Sequence, residues 1–374
     1  MYIALRMFFY DKAKALVTLL GVVFAVSLMF TQIGIWIGMM ESSSIIIDHT
    51  PADIWLTSKN SRNFDFSQSI PEYIYYQALS VPGVKWAEKL IVAWGLITEK
   101  EGGTESIEII GYNPDTGVGG PWKMKEGATQ DVKNGYFVIV DQSAMKKLGN
   151  VKVGEYRDIV SRRVQVRGIS EGARAFTTAP FVFMAYDVAQ QLGQLIGPDK
   201  TAFVVAKVAP GYSVRDVIQH LKEKIHGVDV YSSEEFSRKT RFYWTFETGI
   251  GSSFLLTIVI SFLIGMLIVG QTLYNSTSEY IKEYGTLMAL GASNLDVYKI
   301  VFSLAIISGV LGFAISLAIT ALLVKALANI GMVMVMKPWV NFFMLGVALF
   351  MCISSAFVSI NKIKHLDPYI LFMG

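Results

Sequence analysis

The residues that most often carry out chemistry in proteins are few in this chain and lie far apart. Besides Cys352, the sequence offers four histidines, His49, His220, His226 and His365. His220 and His226 are six residues apart, which places them on different faces of a helix. No H-E-x-x-H or C-x-x-C motif occurs. We therefore predict no catalytic residue, no metal site and no intramolecular disulfide.

Phosphate-binding motifs are missing as well. The dipeptide Gly-Lys appears nowhere, so the chain has no P-loop for a nucleotide triphosphate. The glycines of Gly117–Gly120 lack the rest of the dinucleotide fingerprint and are typical of a turn. The sequence predicts a chain that is not an enzyme by itself and holds no cofactor. The net charge of +3 gives no indication of a nucleic-acid partner.

Hydrophobic residues make up 52% of the chain and charged residues 17%, against about 25% charged in soluble domains. Four blocks contain no Asp, Glu, Lys or Arg: Ala15–Met40, Thr248–Ser278, Ile300–Val324 and Pro338–Asn361. Each is longer than the ~20 residues that a helix needs to cross a bilayer. Four transmembrane helices are predicted, the first an uncleaved signal anchor. Their lack of charge argues against an ion channel or a proton pump.

Basic residues predict the orientation of these helices. Seven of them flank the chain ends and the loop after the second block: Arg6, Lys12, Lys14, Lys282, Lys299, Lys362 and Lys364. The short loop on the other side carries only Lys325 and Lys337. The positive-inside rule therefore places both termini in the cytoplasm and residues 41–247 outside the membrane.

The large outer segment contains a weak repeat. "ADIWLTSK", "IPEYIYYQALS" and "VPGVKWAEKLIVAWGLIT" indicate strand, helix and strand. "TAFVVAKVA", "PGYSVRDVIQHLKEKI" and "HGVDVYSS" repeat this order. Two such units predict a ferredoxin-like, split βαβ module. The β-rich stretch between them, about residues 118–198, is predicted to be an inserted lobe.

The helix of the second block is expected to begin well before the membrane. Ser232 and Glu235 form a capping-box pattern, and only Gly249 and Gly251 weaken the helix further on. A continuous helix from Glu234 to Tyr284 would be ~75 Å long and would project outward as a stalk. The first helix is expected to do the same. An aromatic cluster on the second stalk, just above the membrane, is predicted either to gate substrate entry or to anchor the helix at the membrane interface. It consists of Phe242, Tyr243, Trp244 and Phe246.

The segment "EYIKEYGTLMALGAS" (279–293) predicts a short amphipathic helix that places Ile281, Tyr284 and Met288 on one side and ends at Gly291. Such a helix either docks into a partner's groove or lies on the membrane surface. At the N-terminus, Ile3, Met7 and Tyr10 predict another interfacial helix.

Small residues at four-residue spacing predict close packing of transmembrane helices, within or between protomers. They occur at Gly34, Gly38, Gly312, Ser316 and Thr320.

The segment 279–293 resembles the coupling region of MacB-type (FtsX-like) ABC transporter permeases. "GVVFAVSLMFTQIGI", "PADIWLTSKNS", "IIGYNP", "FYWTFETGIGSSF" and "IVGQTLYNSTSEYIKEYGTLMALGAS" are similar to the DevC branch, the permease of DevBCA-type exporters. The resemblance extends over essentially the whole chain.

The resemblance implies a homodimeric mechanotransmission subunit in the inner membrane of a bacterium. A separate ABC ATPase dimer would hold ATP and Mg, and a periplasmic adaptor and a TolC-like outer-membrane protein would complete a tripartite exporter of an amphipathic or lipid-like substrate. It implies ATPase coupling through Glu279, Glu283, Tyr284, Gly285, Leu287, Met288 and Gly291. Alternatives are a haem, lipoprotein or peptide exporter of this fold, or a non-transporting FtsX-like scaffold.

The predicted fold is therefore an α-helical membrane protein with four transmembrane helices and an α+β extracytoplasmic domain on helical stalks. The predicted segments are a cytoplasmic amphipathic helix (1–14), the first transmembrane helix and stalk (15–47), the periplasmic domain (48–232), the second stalk and transmembrane helix (233–278), the coupling region (279–297), the third transmembrane helix (298–325), an outer loop (326–337), the fourth transmembrane helix (338–361) and a cytoplasmic tail (362–374).

Overall fold

A computed structural model of the chain describes residues 2–98, 102–175, 177, 179–193, 197–329 and 333–363. The backbone divides into two compact units. The helical unit comprises Met1–Ile37, Gly251–Ile330 and Met334–Gly374. The α/β unit comprises Gly38–Ile250 and Gly331–Val333. Of the predicted segments, the tail from residue 364 onward and residues 330–332 of the outer loop lie outside the described residues.

The described residues form eleven α-helices. In chain order these are α1 (Tyr2–Tyr10), α2 (Lys12–Ser43), α3 (Ile45–His49), α4 (Tyr73–Leu79), α5 (Tyr186–Leu192), α6 (Val214–Lys224), α7 (Ser233–Phe242), α8 (Ile250–Glu279), α9 (Ile281–Ala289), α10 (Asn294–Asn329) and α11 (Pro338–Ile363). A π-helical turn, Tyr243–Glu247, follows α7.

Twelve strands are found in the same part of the chain. They are β1 (Ile54–Ser58), β2 (Ile70–Pro71), β3 (Val84–Thr98), β4 (Thr104–Tyr112), β5 (Met124–Glu126), β6 (Phe137–Asp141), β7 (Tyr156–Ile159), β8 (Arg162–Ser170), β9 (Phe181–Ala185), β10 (Lys200–Thr201), β11 (Phe203–Val208) and β12 (Val228–Ser232).

The helical unit is built from helices that are long and apolar enough to cross a membrane. Four qualify by length and composition: Lys12–Ser43, Ile250–Glu279, Asn294–Ala328 and Pro338–Phe357. This confirms the membrane part of the predicted fold class. Hydroxyl side chains inside these helices donate to the carbonyl four residues earlier, as Ser308 does to Leu304 O (2.9 Å) and Thr320 to Ser316 O (2.7 Å). Such bonds satisfy polar groups within the helix itself, as a lipid environment requires.

The first part of the α/β unit has the predicted ferredoxin-like topology. Its strands lie in the order β12-β1-β11-β3, and all neighbours are antiparallel. Helix α4 lies between β1 and β3 in the chain, and α6 lies between β11 and β12, so the chain order is βαββαβ. The α+β part of the predicted fold class is therefore confirmed.

The inserted lobe continues the same sheet and does not form a separate one. The 15-residue strand β3 pairs with β11 through its first half and with β4 through its second half. From β4 the order runs β9-β6-β8-β5, with parallel pairs β4–β9 and β6–β8. The lobe thus begins with β4 at Thr104, earlier than the predicted boundary near residue 118. The reason is that β3 is long enough to pair with both the ferredoxin-like part and the lobe.

Alternation along β1 gives the sheet two packed faces. Ile54 and Leu56 point to the face covered by α4 and α6, where they join a cluster with Ile74 and Val217. Trp55 points to the other face and is fully buried. There its ring meets the rings of Phe64, Phe203 and Phe236, at centroid distances of 6.0, 5.5 and 5.5 Å. These aromatic contacts form the centre of the larger core.

The structure does not contain the continuous helix from Glu234 to Tyr284 that was considered from the sequence. Helix α7 begins with the predicted capping box, in which Glu235 N donates to Ser232 Oγ (3.2 Å) and Ser232 N to Glu235 Oε2 (3.0 Å). The helix then widens into the π-helical turn and stops at Gly249, whose φ of +75° is outside the helical region. Helix α8 starts anew at Ile250. Helix α2 likewise ends at Ser43, and the short helix α3 follows.

Candidate functional site

Helix α9 joins α8 through a shallow interruption at Tyr280. That residue leaves the helical region (φ −83°, ψ 19°), which separates the two helices. Hydrogen bonds of the α-helical type nevertheless continue across it, from Tyr280 N to Ser276 O and from Tyr284 N to Tyr280 O, both 3.0 Å. Helix α9 is therefore a distinct element that remains bonded to the end of a membrane helix.

The other end of α9 is fixed by a Schellman motif. Ala292 N donates to Leu287 O and Gly291 N donates to Met288 O, each at 3.0 Å. Gly291 has φ +100°, a conformation that costs little only for glycine, and it occupies the C′ position expected from the sequence. Ser293 then caps α10, because Asp296 N donates to its Oγ at 3.3 Å.

One face of α9 is packed into the helical unit. Tyr284 is 1% exposed and Gly285 is buried. Tyr284 belongs to the same buried cluster as Phe8 of α1 and Val297 and Val301 of α10. Burial raises the pKa of the Tyr284 hydroxyl, so it stays protonated. This face attaches α9 to its own chain and is not available to a partner.

The opposite face and the end of α9 are open. Lys282, Glu283 and Thr286 are exposed, whereas Leu287 and Met288 are half-buried. Leu290, the residue directly before Gly291, is 81% exposed. Leu290 is absent from the residues predicted for coupling, although an apolar residue next to a helix-terminating glycine was the available signal. Leu295, in the first turn of α10, is 66% exposed and lies close by in the chain.

The start of α2 and the end of α8 are joined by an ion-pair cluster. Lys14 Nζ lies 2.8 Å from Asp11 Oδ2 and also pairs with Glu279. The hydrogen bond from Lys14 holds the pKa of Asp11 below its usual value. The same ammonium lies 5.9 Å from the centroid of the Tyr280 ring. Glu279, predicted to contact an ATPase, therefore engages a lysine of its own chain.

A groove of about 290 Å³ lies between α1 and α9. Its lining is Arg6, Met7, Tyr10, Tyr280, Glu283, Tyr284 and Leu287. The face of α1 differs from the predicted one, since Ala4 and Phe8 are buried whereas Tyr10 is 84% exposed. Phe8 follows Ala4 by four residues, which places both on one face of the helix. The exposed Tyr10 adds to the apolar surface around α9.

The predicted aromatic cluster separates into two groups. Phe242 and Phe246 are 53% and 62% exposed, with ring centroids 4.9 Å apart. Trp244 is buried, and its Nε1 donates to Asp65 Oδ2 at 2.7 Å. Tyr243 is half-buried. The cluster does not share one environment, because the π-helical turn directs Trp244 inward.

The small residues predicted for helix packing have different neighbours. A Cβ on Gly312 would lie 2.4 Å from Val22 Cγ1, and Ser316 Oγ donates to Val23 O at 3.2 Å, so α10 approaches α2 closely. Thr320 donates within α10. Gly34 O instead accepts from Val335 N at 3.0 Å. A Cβ on Gly38 would lie 2.5 Å from Val333 O. These two glycines therefore face a non-helical segment.

Among the described residues, no group of three or more His, Cys, Asp or Glu side chains is arranged to hold a metal ion. Cys352 is buried and reduced within the helical unit. What the site offers is an exposed apolar tip on a short, well-anchored helix, which suits contact with another protein.

Two family models match the chain. The MacB-like periplasmic core domain matches residues 15–224, more than half of the 374 residues. The FtsX-like permease C-terminal model matches residues 255–368, which include α9.

Known proteins give related matches. An uncharacterized ABC transporter permease of Mycobacterium tuberculosis, found in strains CDC 1551 and H37Rv, is 20% identical over 311 residues, which cover 79% of this chain and 78% of the relative. The crystal structure of the periplasmic region of MacB from Actinobacillus actinomycetemcomitans matches with a TM-score of 0.40 and 12% identity, covering 52% of this chain and 96% of that chain. The extracellular domain of the noncanonic ABC-type transporter YknZ from Gram-positive bacteria gives a TM-score of 0.36 and 14% identity, with coverages of 48% and 98%. On the family models, the chain belongs to the MacB-like family of ABC transporter permeases with an FtsX-like C-terminal region.

Proposed function

We propose that the chain transmits movement in an ATP-driven tripartite exporter. Two copies of it span the inner membrane with cytoplasmic termini. The α9 region docks on a separate ABC ATPase dimer, which holds ATP and Mg. The α/β unit lies in the periplasm and works with an adaptor and a TolC-like outer-membrane protein. The resemblance to the DevC branch makes an amphipathic or lipid-like substrate the preferred class.

One observation carries this proposal: Leu290 is 81% exposed at the end of a helix whose other side is buried. Exposed apolar side chains that are grouped on a rigid support favour contact with another protein. The support is rigid because Tyr284 packs into the helical core and the Schellman motif fixes the last turn. Force applied to Leu290 would therefore reach α8 and α10.

The structure supports different tasks for the seven residues predicted for ATPase coupling and for Leu290, which the structure adds to them. Leu290 and Glu283, together with Leu287 and Met288 at the edge, form the surface for the ATPase. Tyr284 and Gly285 attach α9 to the helical unit, and Gly291 sets the end of the helix. Glu279 positions α9 through its ion pair with Lys14. Docking and positioning are thus separate contributions to coupling.

The uncharged membrane helices agree with a mechanical role. The four blocks contain no Asp, Glu, Lys or Arg that could line an ion or proton path. The chain has no phosphate-binding motif, so the energy must come from a partner. Both features favour a subunit that receives work from an ATPase and passes it on.

The test is the Leu290→Asp variant, reconstituted in nanodiscs with the ABC ATPase that co-purifies with the wild-type chain. A carboxylate at the centre of an apolar contact should weaken ATPase binding by about 10-fold or more, as at other interface anchors. We expect permease-dependent ATP hydrolysis to fall accordingly. The substitution is exposed, so the thermal stability of the permease should not change.

Leu79→Asp is the matched control, because Leu79 is a 42% exposed leucine at the end of α4 in the α/β unit and lies outside the α9 region. This variant should retain ATPase binding within about twofold. Full binding and full ATP hydrolysis with Leu290→Asp would contradict docking at the α9 tip. Equal losses in both variants would point to a general charge effect and would also contradict it.

A further inference from the structure

The α/β unit buries a carboxyl group without any hydrogen bond among the described residues. Glu108 lies in β4, opposite Trp94 of β3 and Phe181 of β9, and it is 0% exposed. Neither of its carboxyl oxygens has a partner within the described part of the chain. Buried polar groups are nearly always hydrogen-bonded, so this glutamate needs a physical explanation.

A second carboxyl, Asp65, lies in the loop between β1 and β2 and is 4% exposed. Its Oδ2 accepts a hydrogen bond from Trp244 Nε1 at 2.7 Å. Its main-chain oxygen accepts from Trp94 Nε1 at 3.0 Å. Asn63 Oδ1 accepts from Phe66 N at 3.1 Å, which folds the loop locally. Asp65 thus connects the sheet residue opposite Glu108 to the π-helical turn.

The π-helical turn lies at a critical place in the chain. The Phe66 ring stands between Trp94 and Trp244, with centroids 6.1 and 5.8 Å away. Five residues after Trp244 comes Gly249 with its positive φ, and α8 begins at the next residue. π-helical turns are rare and occur frequently at functional sites. The hydrogen bond from Trp244 to Asp65 ties the turn before α8 to the α/β unit.

The electrostatic surroundings of the pair are simple. The titratable side chains on the loop, β3, β4 and the π-helical turn are Lys59, Arg62, Asp65, Lys85, Glu88, Lys89, Glu105, Glu108, Tyr112, Tyr243 and Glu247, and β9 has none. Arg62 pairs with Glu247, Lys89 with Glu72, and Glu105 with Lys147, while Asn113 donates to Glu88. Among the described residues, Asp65 supplies the one charge that adds to the effect of burial on Glu108.

These surroundings decide where the protons reside. Burial raises the pKa of Asp65 to about 6, although the hydrogen bond from Trp244 opposes the change. Burial, together with the charge of Asp65, raises the pKa of Glu108 well above its usual value. Of the two carboxyls, Glu108 therefore holds its proton more tightly, and Asp65 is the one that ionises first as the pH rises. The pair takes up its second proton in mild acid.

We propose that Asp65, Glu108 and Trp244 form a carboxyl switch, in which proton uptake by the buried pair loosens the hydrogen bond that holds the π-helical turn before α8. An ionised carboxylate accepts a stronger hydrogen bond than a neutral carboxyl does. The contact is therefore tight when Asp65 is charged and weak when it is protonated. Glu108 keeps the site apolar without adding a second negative charge, which places the transition in a physiological pH range.

The consequence for transport rests on the proposed function. If α8 carries movement to a periplasmic α/β unit, the switch sets how firmly that helix is held at its entry, and acid outside the membrane reduces coupling. The switch itself does not depend on export. The test of the switch monitors the Trp244 side chain directly and needs no ATPase. Its outcome is therefore independent of the proposed function.

The experiment is a ¹⁹F NMR titration of the full chain in detergent, labelled with 5-fluorotryptophan. The chain has seven tryptophans, and Trp244→Phe identifies the resonance of interest by its disappearance. We expect this resonance to shift between pH 5 and 8 with a midpoint close to 6. Asp65→Asn should abolish the titration, because an amide oxygen can still accept from Trp244 but does not ionise.

Glu108→Gln distinguishes the two carboxyls. Gln is neutral like protonated Glu108, so the Trp244 resonance should still titrate, with a midpoint at or below that of the wild type. A Trp244 resonance that does not shift between pH 5 and 8 in the wild type would overturn the switch. So would an unchanged titration in Asp65→Asn, and amide hydrogen exchange of β4 in each variant confirms that the sheet is folded.

Discussion

The helical unit and the α/β unit bury polar groups in different ways. In the helical unit, buried hydroxyls such as those of Ser308 and Thr320 donate to carbonyls of their own helix, and Ser316 donates within α10 and also to Val23 O of α2. In the α/β unit, the buried Asp141 accepts from Ser170 Oγ and Ala173 N, 29 and 32 positions away, and from Ser143 N, two positions away. Glu108 in the same unit has no partner among the described residues.

The difference indicates where each unit is sensitive. Hydroxyl groups whose hydrogen bonds stay within one helix do not position other elements and do not respond to pH. This arrangement suits the lipid bilayer, where no water can satisfy polar groups. Buried carboxyls that bridge loops and strands do both, because their charge and their hydrogen bonds extend across elements. We therefore expect specificity and pH dependence to reside in the α/β unit and close steric fit to govern the helical unit.

The largest effect should come from Asp141→Ala. The carboxylate is 1% exposed, and its loss leaves the amides of Ser143 and Ala173 without their acceptor. Each unpaired buried donor costs about 1–3 kcal/mol, so the free energy of unfolding should fall by about 3–5 kcal/mol. Thermal denaturation in detergent measures this loss.

Asp158→Ala is the control, since Asp158 is exposed on β7. It should change stability by no more than about 0.5 kcal/mol. A small effect of Asp141→Ala would mean that the buried charge does not organise the α/β unit, and the contrast between the units would disappear.

The next effect is a dependence of stability on pH. The folded pKa of Asp65 is raised to about 6, above its unfolded value, so the folded state binds the proton more tightly. The stability that proton binding by Asp65 gives to the folded state is fully present below pH 4 and is lost as the pH rises through 6. The difference between the folded and the unfolded pKa of Asp65 corresponds to about 3 kcal/mol in the free energy of unfolding. Amide exchange of Ile109 and Ile110 in β4, corrected for intrinsic rates, should accelerate from pH 5 to 7.5.

Asp65→Asn should remove most of this slope, because the replacement does not ionise. Burial and the charge of Asp65 raise the pKa of Glu108, so Glu108 ionises after Asp65 as the pH rises. If the corrected amide exchange rates of the wild type do not change between pH 5 and 7.5, this result would contradict the burial of an ionisable pair.

The smallest effect concerns the fit of α10 against α2. Gly312→Ala places a Cβ 2.4 Å from Val22 Cγ1, and overpacking of this kind costs about 1–3 kcal/mol. Gly346→Ala in α11 meets nothing within 4 Å and should gain up to about 1 kcal/mol from helix propensity. Unfolding in SDS compares the two. Equal stabilities would show that the helices do not depend on close approach.

Hydropathy and periodicity predicted most of the architecture. The four uncharged blocks correspond to α2, α8, α10 and α11, since crossing a membrane demands length and low charge. The strand–helix–strand repeat around Ile54 and Phe203 predicted the ferredoxin-like order. Local signals also sufficed for the cap at Ser232 and the conformation of Gly291, because both depend on neighbours in the chain.

The sequence did not reveal contacts between distant residues. Glu108 stands in a strand whose alternation gives no reason to bury a charge, and Asp65 reaches Trp244 across 179 positions. The resemblance implied coupling through Tyr284, and in the structure Tyr284 packs in a buried cluster with residues of α1 and α10. Periodicity identifies a face but not what covers it. Leu290 was missed for the same reason.

The elbow between α9 and α10 has a geometric consequence. Gly291 closes one helix and Ser293 opens the next, which leaves Ala292 as the single residue between them. All three are held by hydrogen bonds to the adjoining helices or by their caps, so the elbow has no slack in which a displacement could dissipate. Under the proposed function, a displacement of the tip is therefore expected to reach the 36-residue helix that follows.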